Sequence, residues 1–222
     1  IYCDAGDSAK GPNGFLTEEL WNTTATLDYQ PYSFSKTLAE KEAWKMAEAQ
    51  SQWDLVVINP SAVFGPLLNP TTSTAESLSL MKQLGDGTLK MGAPRFGIGV
   101  VDVRDLADAH FEAGFRPQAT GRHIVSGHNT NFFELGKTLL PKYGDKYPLP
   151  KSVAPKWLLM LVGPFVNKAF TRRYVKNNVD VVWQADNSKS KKALGVSYRP
   201  LKETMEDSFQ MLIDENMITS TK

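Results

Sequence analysis

Tyr32 and Lys36 stand four residues apart in the run Tyr32-Ser-Phe-Ser-Lys36-Thr-Leu-Ala39-Glu40-Lys-Glu-Ala43-Trp, a spacing that puts a phenol and an ammonium on one helical face. A phenol can hand its proton to a developing alkoxide, but a free one titrates near pH ~10, and an ammonium close by favours the charged form. Two other pairs in the chain share this spacing. Tyr147/Lys151 is interrupted by Pro148 and Pro150, and Tyr198/Lys202 by Pro200, so neither can form a continuous helical turn. Tyr32 and Lys36 are left as a candidate proton donor and its cationic partner. Spacing alone also allows a plainer account, in which both side chains snorkel at the edge of a core.

The elements around the pair give it a place. Pro31 suits a helix start, and the residues from there to about Ser51 are rich in Ala, Glu, Lys, Leu and Met, so a helix is expected. Tyr32, Lys36, Ala39, Ala43 and Ala47 form one stripe on it, and the alanines would let the helix lie close on a neighbouring surface. Leu55-Val-Val-Ile58, ending at Asn59-Pro60, reads as a strand buried on both faces of a parallel sheet. Pro60-Ser-Ala-Val63-Phe-Gly65-Pro66 then reads as a loop beyond the strand's carboxyl end, where open α/β sheets bind ligands.

Together these residues resemble the extended short-chain dehydrogenase/reductase family, part of the NAD-dependent epimerase/dehydratase superfamily. The likeness is carried by Pro31-Tyr32-Ser-Phe-Ser-Lys36-Thr-Leu-Ala39-Glu40-Lys and Val57-Ile-Asn59-Pro60-Ser-Ala-Val63-Phe-Gly65-Pro66. Val100-Val-Asp102-Val-Arg-Asp105, Gly121-Arg-His-Ile-Val-Ser126-Gly127 and Ser188-Lys189 to Pro200-Leu201 agree in order and spacing, so the resemblance covers nearly the whole chain. Within the family the chain is most similar to the dihydroflavonol reductase, cinnamoyl-CoA reductase and carbonyl/aldehyde reductase branch. The resemblance implies an α/β fold: the C-terminal part of a Rossmann-type doubly wound parallel sheet, with a smaller mixed α/β substrate domain. Residues 1–66 would be a partial dinucleotide-binding domain and 67–222 mostly the substrate domain, with a strand near 122–126 returning to the sheet.

The activity so implied is reduction of an aldehyde or ketone by hydride from NADP(H), with Tyr32 as general acid and Lys36 also gripping the nicotinamide ribose. Pro60 and Val63 match positions lining the nicotinamide, and Ser73 matches a serine near the cofactor if a small gap is allowed. The preference for NADP over NAD comes from the branch alone. The glycine-rich turn with which the family receives the dinucleotide pyrophosphate does not occur; the glycines at 92, 97 and 99 follow no strand-like run. Ile1-Tyr2-Cys3 resembles the end of the strand carrying the family's catalytic serine, which would lie upstream, and Ser8 sits instead on a loop. The expectation is therefore a C-terminal portion of a longer enzyme, inactive and poorly soluble in isolation. Two other readings remain open: a nucleotide-sugar epimerase or dehydratase of the same superfamily, and a non-catalytic truncated homologue.

With 25 basic and 24 acidic residues, well dispersed, no strong field steers nucleic acid or an acidic membrane to the 222-residue chain. One cysteine, Cys3, excludes an internal disulfide and suits a reducing, cytoplasmic location. The longest apolar run, Trp157-Leu-Leu-Met-Leu-Val162, is too short to span a bilayer and is expected in the core or a pocket wall. His110, His123 and His128 show no metal-ligand spacing, so no metal is expected. Asp102 and Asp105 read as strand-end and helix-cap residues, with Asp105 starting a helix. Asn22-Thr-Thr24 fits a glycosylation acceptor incidentally. The expected partners are a small carbonyl substrate and NADP(H), on a monomer or homodimer.

Overall fold

The structure is a computed structural model that describes residues 1–166 and 170–220. Helix α1 (Pro31–Glu48) begins after Gln30 in the left-handed region, with Pro31 in the first position, where its missing N–H costs nothing. Strand β1 (Val56–Pro60) follows and pairs in parallel with β4 (Gly121–Val125), with Ile58 opposite His123. The stretch expected to be a ligand-side loop is partly a strand. After Ser61 the backbone continues as β2 (Ala62–Phe64), paired in parallel with β3 (Gly97–Asp102), because Ala62, Val63 and Phe64 can bury against a second sheet. β3 pairs antiparallel with β5 (His128–Asn131). The Ser61 amide donates to the Val125 carbonyl, and the Gly127 amide to that of Val100, so the two small sheets are stitched where β1 and β4 end.

β1 is not buried on both faces. Its residues are half-buried up to Asn59 because it has a partner on one edge only, and the outer edge has no strand beside it among the described residues. Helix α3 (Val103–Phe115) covers one face, where Ala109 packs with Val101, Val125 and partly buried Val56 and Ile58. The other face meets Ala5, Leu16 and Trp183 around Ile124. The main core lies under the β2–β3–β5 sheet. There Met81 and Leu84 of α2 (Glu76–Gly85), Leu135 and Leu139 of α4 (Phe132–Tyr143), and Met205, Phe209 and Leu212 of α7 (Leu201–Asp214) are buried together.

Asp102, rather than Asp105, caps α3. The chain turns helical directly from β3, and the Asp102 carboxylate accepts from the Arg104 amide at 2.9 Å, a neater closure than a start three residues later would give. The glycines near 97 belong to this strand. A Cβ on Gly99 would sit 2.1 Å from the Trp183 ring and one on Gly97 2.8 Å from the Trp183 Cβ, so they let an indole lie close on the strand. Ile1–Cys3 form no strand, and Ser8 lies in a 3-10 turn (Ala5–Lys10) with its hydroxyl donating to the Ala5 carbonyl. The Trp157 run forms α5 (Lys156–Val166), paired with α6 (Arg172–Asn178), yet it is neither core nor pocket wall along its outer side. No helix among the described residues is long and apolar enough to cross a membrane.

Candidate active site

Tyr32 and Lys36 occupy the first turns of α1, and the Lys36 ammonium lies 5.6 Å from the centre of the Tyr32 ring. Both are open to solvent; Tyr32 is 72% exposed. The alanine stripe stays open as well, since Ala39 is exposed and Ala43 and Ala47 are only half-buried. Thr37 is the buried residue of α1, so the helix rests on a face beside the candidate pair. The expected close packing of the stripe is absent because no neighbouring element covers that side among the described residues.

What holds α1 is polar. Glu40 receives the Arg122 guanidinium of β4 at 2.6 Å, with both side chains almost out of water. Arg122 also donates to the Leu20 carbonyl at 2.8 Å and stacks 4.0 Å over the Trp21 ring, which ties the helix, the strand and the approach segment together. On the entry side the Tyr29 hydroxyl donates to Asp4 at 2.7 Å, and Arg173 of α6 stacks 3.7 Å over the Tyr29 ring. The approach to Tyr32 is thereby anchored at residues the sequence had not marked. Their signal, aromatic rings beside arginines far away in sequence, appears only on folding.

The other candidates lie elsewhere in the fold. Pro60 ends β1 and is exposed, while Val63 sits in β2 and packs beside Val101 and Leu106. Ser73 lies in the turn before α2, where its hydroxyl accepts from the Ala75 amide at 3.2 Å. No hydrogen bond or ion pair joins Tyr32 or Lys36 to any of these three among the described residues. The crevice beside Val63, between β2, Leu78 of α2 and Met211 of α7, has a volume of about 20 Å³, room for roughly one water. A larger open cleft of about 410 Å³ runs between the first turn of the chain and α6, lined by Asp4, Asp7, Lys10, Thr24, Arg173 and Asn177.

Several buried polar groups have structural tasks. Asp102 is bound by the Arg104 side chain at 2.7 Å and accepts from Thr204 at 2.8 Å. Burial alone would raise its carboxyl, but the Arg104 and Thr204 hydrogen bonds outweigh that and hold it below the usual carboxylate range. Asp105 accepts from the Arg199 amide and pairs with its guanidinium. Cys3 is a free buried thiol pushed up to about 11, chiefly by burial, which makes it a poor nucleophile. Asn22 is buried and its side chain accepts from the Thr24 and Ala25 amides, so it is no accessible glycosylation acceptor. His110 and His128 bond to the Leu106 and Arg199 carbonyls, and no cluster of possible metal ligands occurs among the described residues. Phe96 is core, stacked 4.8 Å from Phe132.

Residues 5–127 match the NAD dependent epimerase/dehydratase family. The chain is 30% identical over 200 residues to a cinnamoyl-CoA reductase of Medicago truncatula, covering 89% of this chain and 53% of that protein. It is 29% identical over 225 residues to an NADPH-dependent methylglyoxal reductase of Saccharomyces cerevisiae, covering 96% and 61%. Among solved structures it is similar to a yeast methylglyoxal/isovaleraldehyde reductase complexed with NADPH, with TM-score 0.68 and 28% identity over 90% of this chain and 58% of that one. The chain spans about half the length of the curated relatives it matches.

Proposed function

Since this chain belongs to the NAD dependent epimerase/dehydratase family, we propose that it is part of a reductase that turns an aldehyde or ketone into an alcohol with hydride from NADPH. Tyr32 gives the proton to the developing alkoxide. Lys36 holds the nicotinamide ribose and favours negative charge on the phenol oxygen as the proton leaves. The observation that carries this reading is the pairing of Lys36 with the Tyr32 ring on the open face of α1. It is supported by the reductases, one of them NADPH-dependent, to which the chain is similar along most of its length.

In this reading residues 1–66 and β4 (Gly121–Val125) belong to the dinucleotide side, and most of 67–222 to the substrate side. Pro60 and Val63 flank the nicotinamide, and Ser73 stands near the cofactor. The substrate class is a small or CoA-linked carbonyl compound. A cytoplasmic site fits the free, buried Cys3.

The nucleotide, once bound, supplies the hydride. What the chain's own residues contribute is a proton at the Tyr32 oxygen, a cation at Lys36, and a helix held in place by Glu40 and Tyr29. The test is NADPH oxidation by the complete reductase to which this chain would belong, with methylglyoxal, isovaleraldehyde or cinnamoyl-CoA. Turnover of at least one of these, lost in Tyr32→Phe, is expected. Undiminished turnover in Tyr32→Phe, or turnover of a nucleotide sugar in place of every carbonyl compound, would sink the reading.

A further inference from the structure

Helix α5 presents apolar side chains to solvent as well as to the core. Leu159 and Met160 pack against the main core, whereas Trp157, Leu161, Val162 and Phe165 face outward at helical spacing. Trp157 is 68% exposed and Phe165 88%. A surface helix ordinarily keeps a polar outer face, and one that is apolar all round belongs in a nonpolar medium. A patch of this kind marks an interaction site.

The sequence around it selects the partner. From 151 to 179 the chain carries Lys151, Lys156, Lys168, Arg172, Arg173 and Lys176, and all 24 acidic residues lie outside that stretch. The balance of charge over the whole chain hides this local excess. Lys151, Arg172 and Lys176 make no ion pair with a carboxylate among the described residues and all three are exposed, while Arg173 lies over the Tyr29 ring. Asp4 and Asp7 line the cleft shared with Arg173 and Lys176, but Asp4 is taken up by Tyr29, Asn177 and Asn178, and Asp7 by Lys10 and Thr24. The α5–α6 region therefore combines an outward Trp/Leu/Phe face with unneutralised cations, the pairing that lets a helix lie in the headgroup layer of an anionic membrane.

We propose that α5 is a peripheral docking element for an anionic lipid surface, with Trp157, Leu161 and Phe165 entering the interface and Lys151, Arg172 and Lys176 facing the headgroups. The proposal does not depend on the reductase reading. The 11-residue helix lies on the bilayer and does not cross it.

The experiment is co-sedimentation of the full chain with phosphatidylcholine vesicles, with and without about 30 mol % phosphatidylserine. Partition onto the phosphatidylserine vesicles should be about tenfold stronger than onto the neutral ones, and should fall as salt shortens the Debye length. The variant Trp157→Gln with Phe165→Gln, whose substitutions lie on exposed positions, should lose that binding while its circular dichroism stays unchanged. A control variant, Phe111→Ser with Phe115→Ser, alters a separate exposed aromatic pair on α3 and should keep it. Equal partition onto both vesicle types, or the same loss in the control, overturns the proposal. So does a concentration-dependent dimer that the α5 variant abolishes in a chain that ignores vesicles, which would make the face a contact between copies.

Discussion

The Arg122 guanidinium meets the Glu40 carboxylate at 2.6 Å, and the two side chains keep only 9% and 12% of their exposure. This pair crosses from β4 to α1, the helix that carries Tyr32 and Lys36. A nearly buried pair is sensitive to losing one member, because the survivor is left charged and without a partner.

Glu40→Gln or Arg122→Met should lower the unfolding free energy by about 3 kcal/mol. Replacing both residues with apolar ones of similar volume should restore most of the loss, since no charge is then stranded. Urea unfolding of the three variants checks this. Equal losses in the single and double variants would show that the pair does no pinning.

Asp102 sets an acid limb. Its carboxyl is held below the usual range in the fold, so its contribution is present above the unfolded value, pH ~4, and is lost as pH falls through the lower folded value. Asp102→Asn should lower stability at neutral pH and flatten the pH dependence below pH ~4, as read from melting temperature against pH. An unchanged acid limb would contradict the assignment.

His123 acts in a higher window. It is fully buried, and burial followed by the Lys189 charge lowers its pKa against the opposing effect of the Thr120 backbone. The unfolded chain then takes up a proton that the fold refuses, so stability is whole above pH ~6.5 and declines as pH falls below it. His123→Leu should remove that slope in the same melting series while leaving the steeper acid limb in place.

Gly99→Ala would drive a methyl to 2.1 Å from the Trp183 ring. Either the indole or β3 must move, and a loss of about 1–3 kcal/mol is expected in urea unfolding. A neutral result would mean that Trp183 swings away freely.

For the proposed chemistry, Tyr32→Phe in the complete reductase should lower kcat by about 10²–10⁴-fold and leave NADPH affinity intact, because only a proton donor is removed. Lys36→Met should weaken NADPH binding as well as turnover. Calorimetry with NADPH beside steady-state rates separates the two roles. Equal effects of both substitutions on nucleotide affinity would merge them.

Much of this protein is written locally. Leu201–Asp214 is a helix because its apolar residues recur at helical spacing, and Pro31 followed by helix formers fixes α1. Prolines exclude Tyr147/Lys151 and Tyr198/Lys202 as helical pairs, which singles out Tyr32 and Lys36 from the sequence alone. Helices are legible in this way because propensity, capping and periodicity act over one or two turns.

The sequence by itself thus determined the main helices and the family, and supplied Tyr32 and Lys36 as a candidate pair. Tertiary structure alone decided the rest. The loop expected between Pro60 and Pro66 gave way to β2 only because β3 offered its edge to Ala62, Val63 and Phe64. Leu55–Ile58 looked destined for burial on both faces, yet among the described residues β1 pairs with β4 along one edge only. Asp102 took the cap that Asp105 was expected to supply, since the chain turned directly out of β3. The anchors of the α1 helix, Arg122 to Glu40 and Asp4 to Tyr29, join residues 82 and 25 positions apart. Such contacts depend on which surfaces meet, and no local pattern along the chain encodes that meeting.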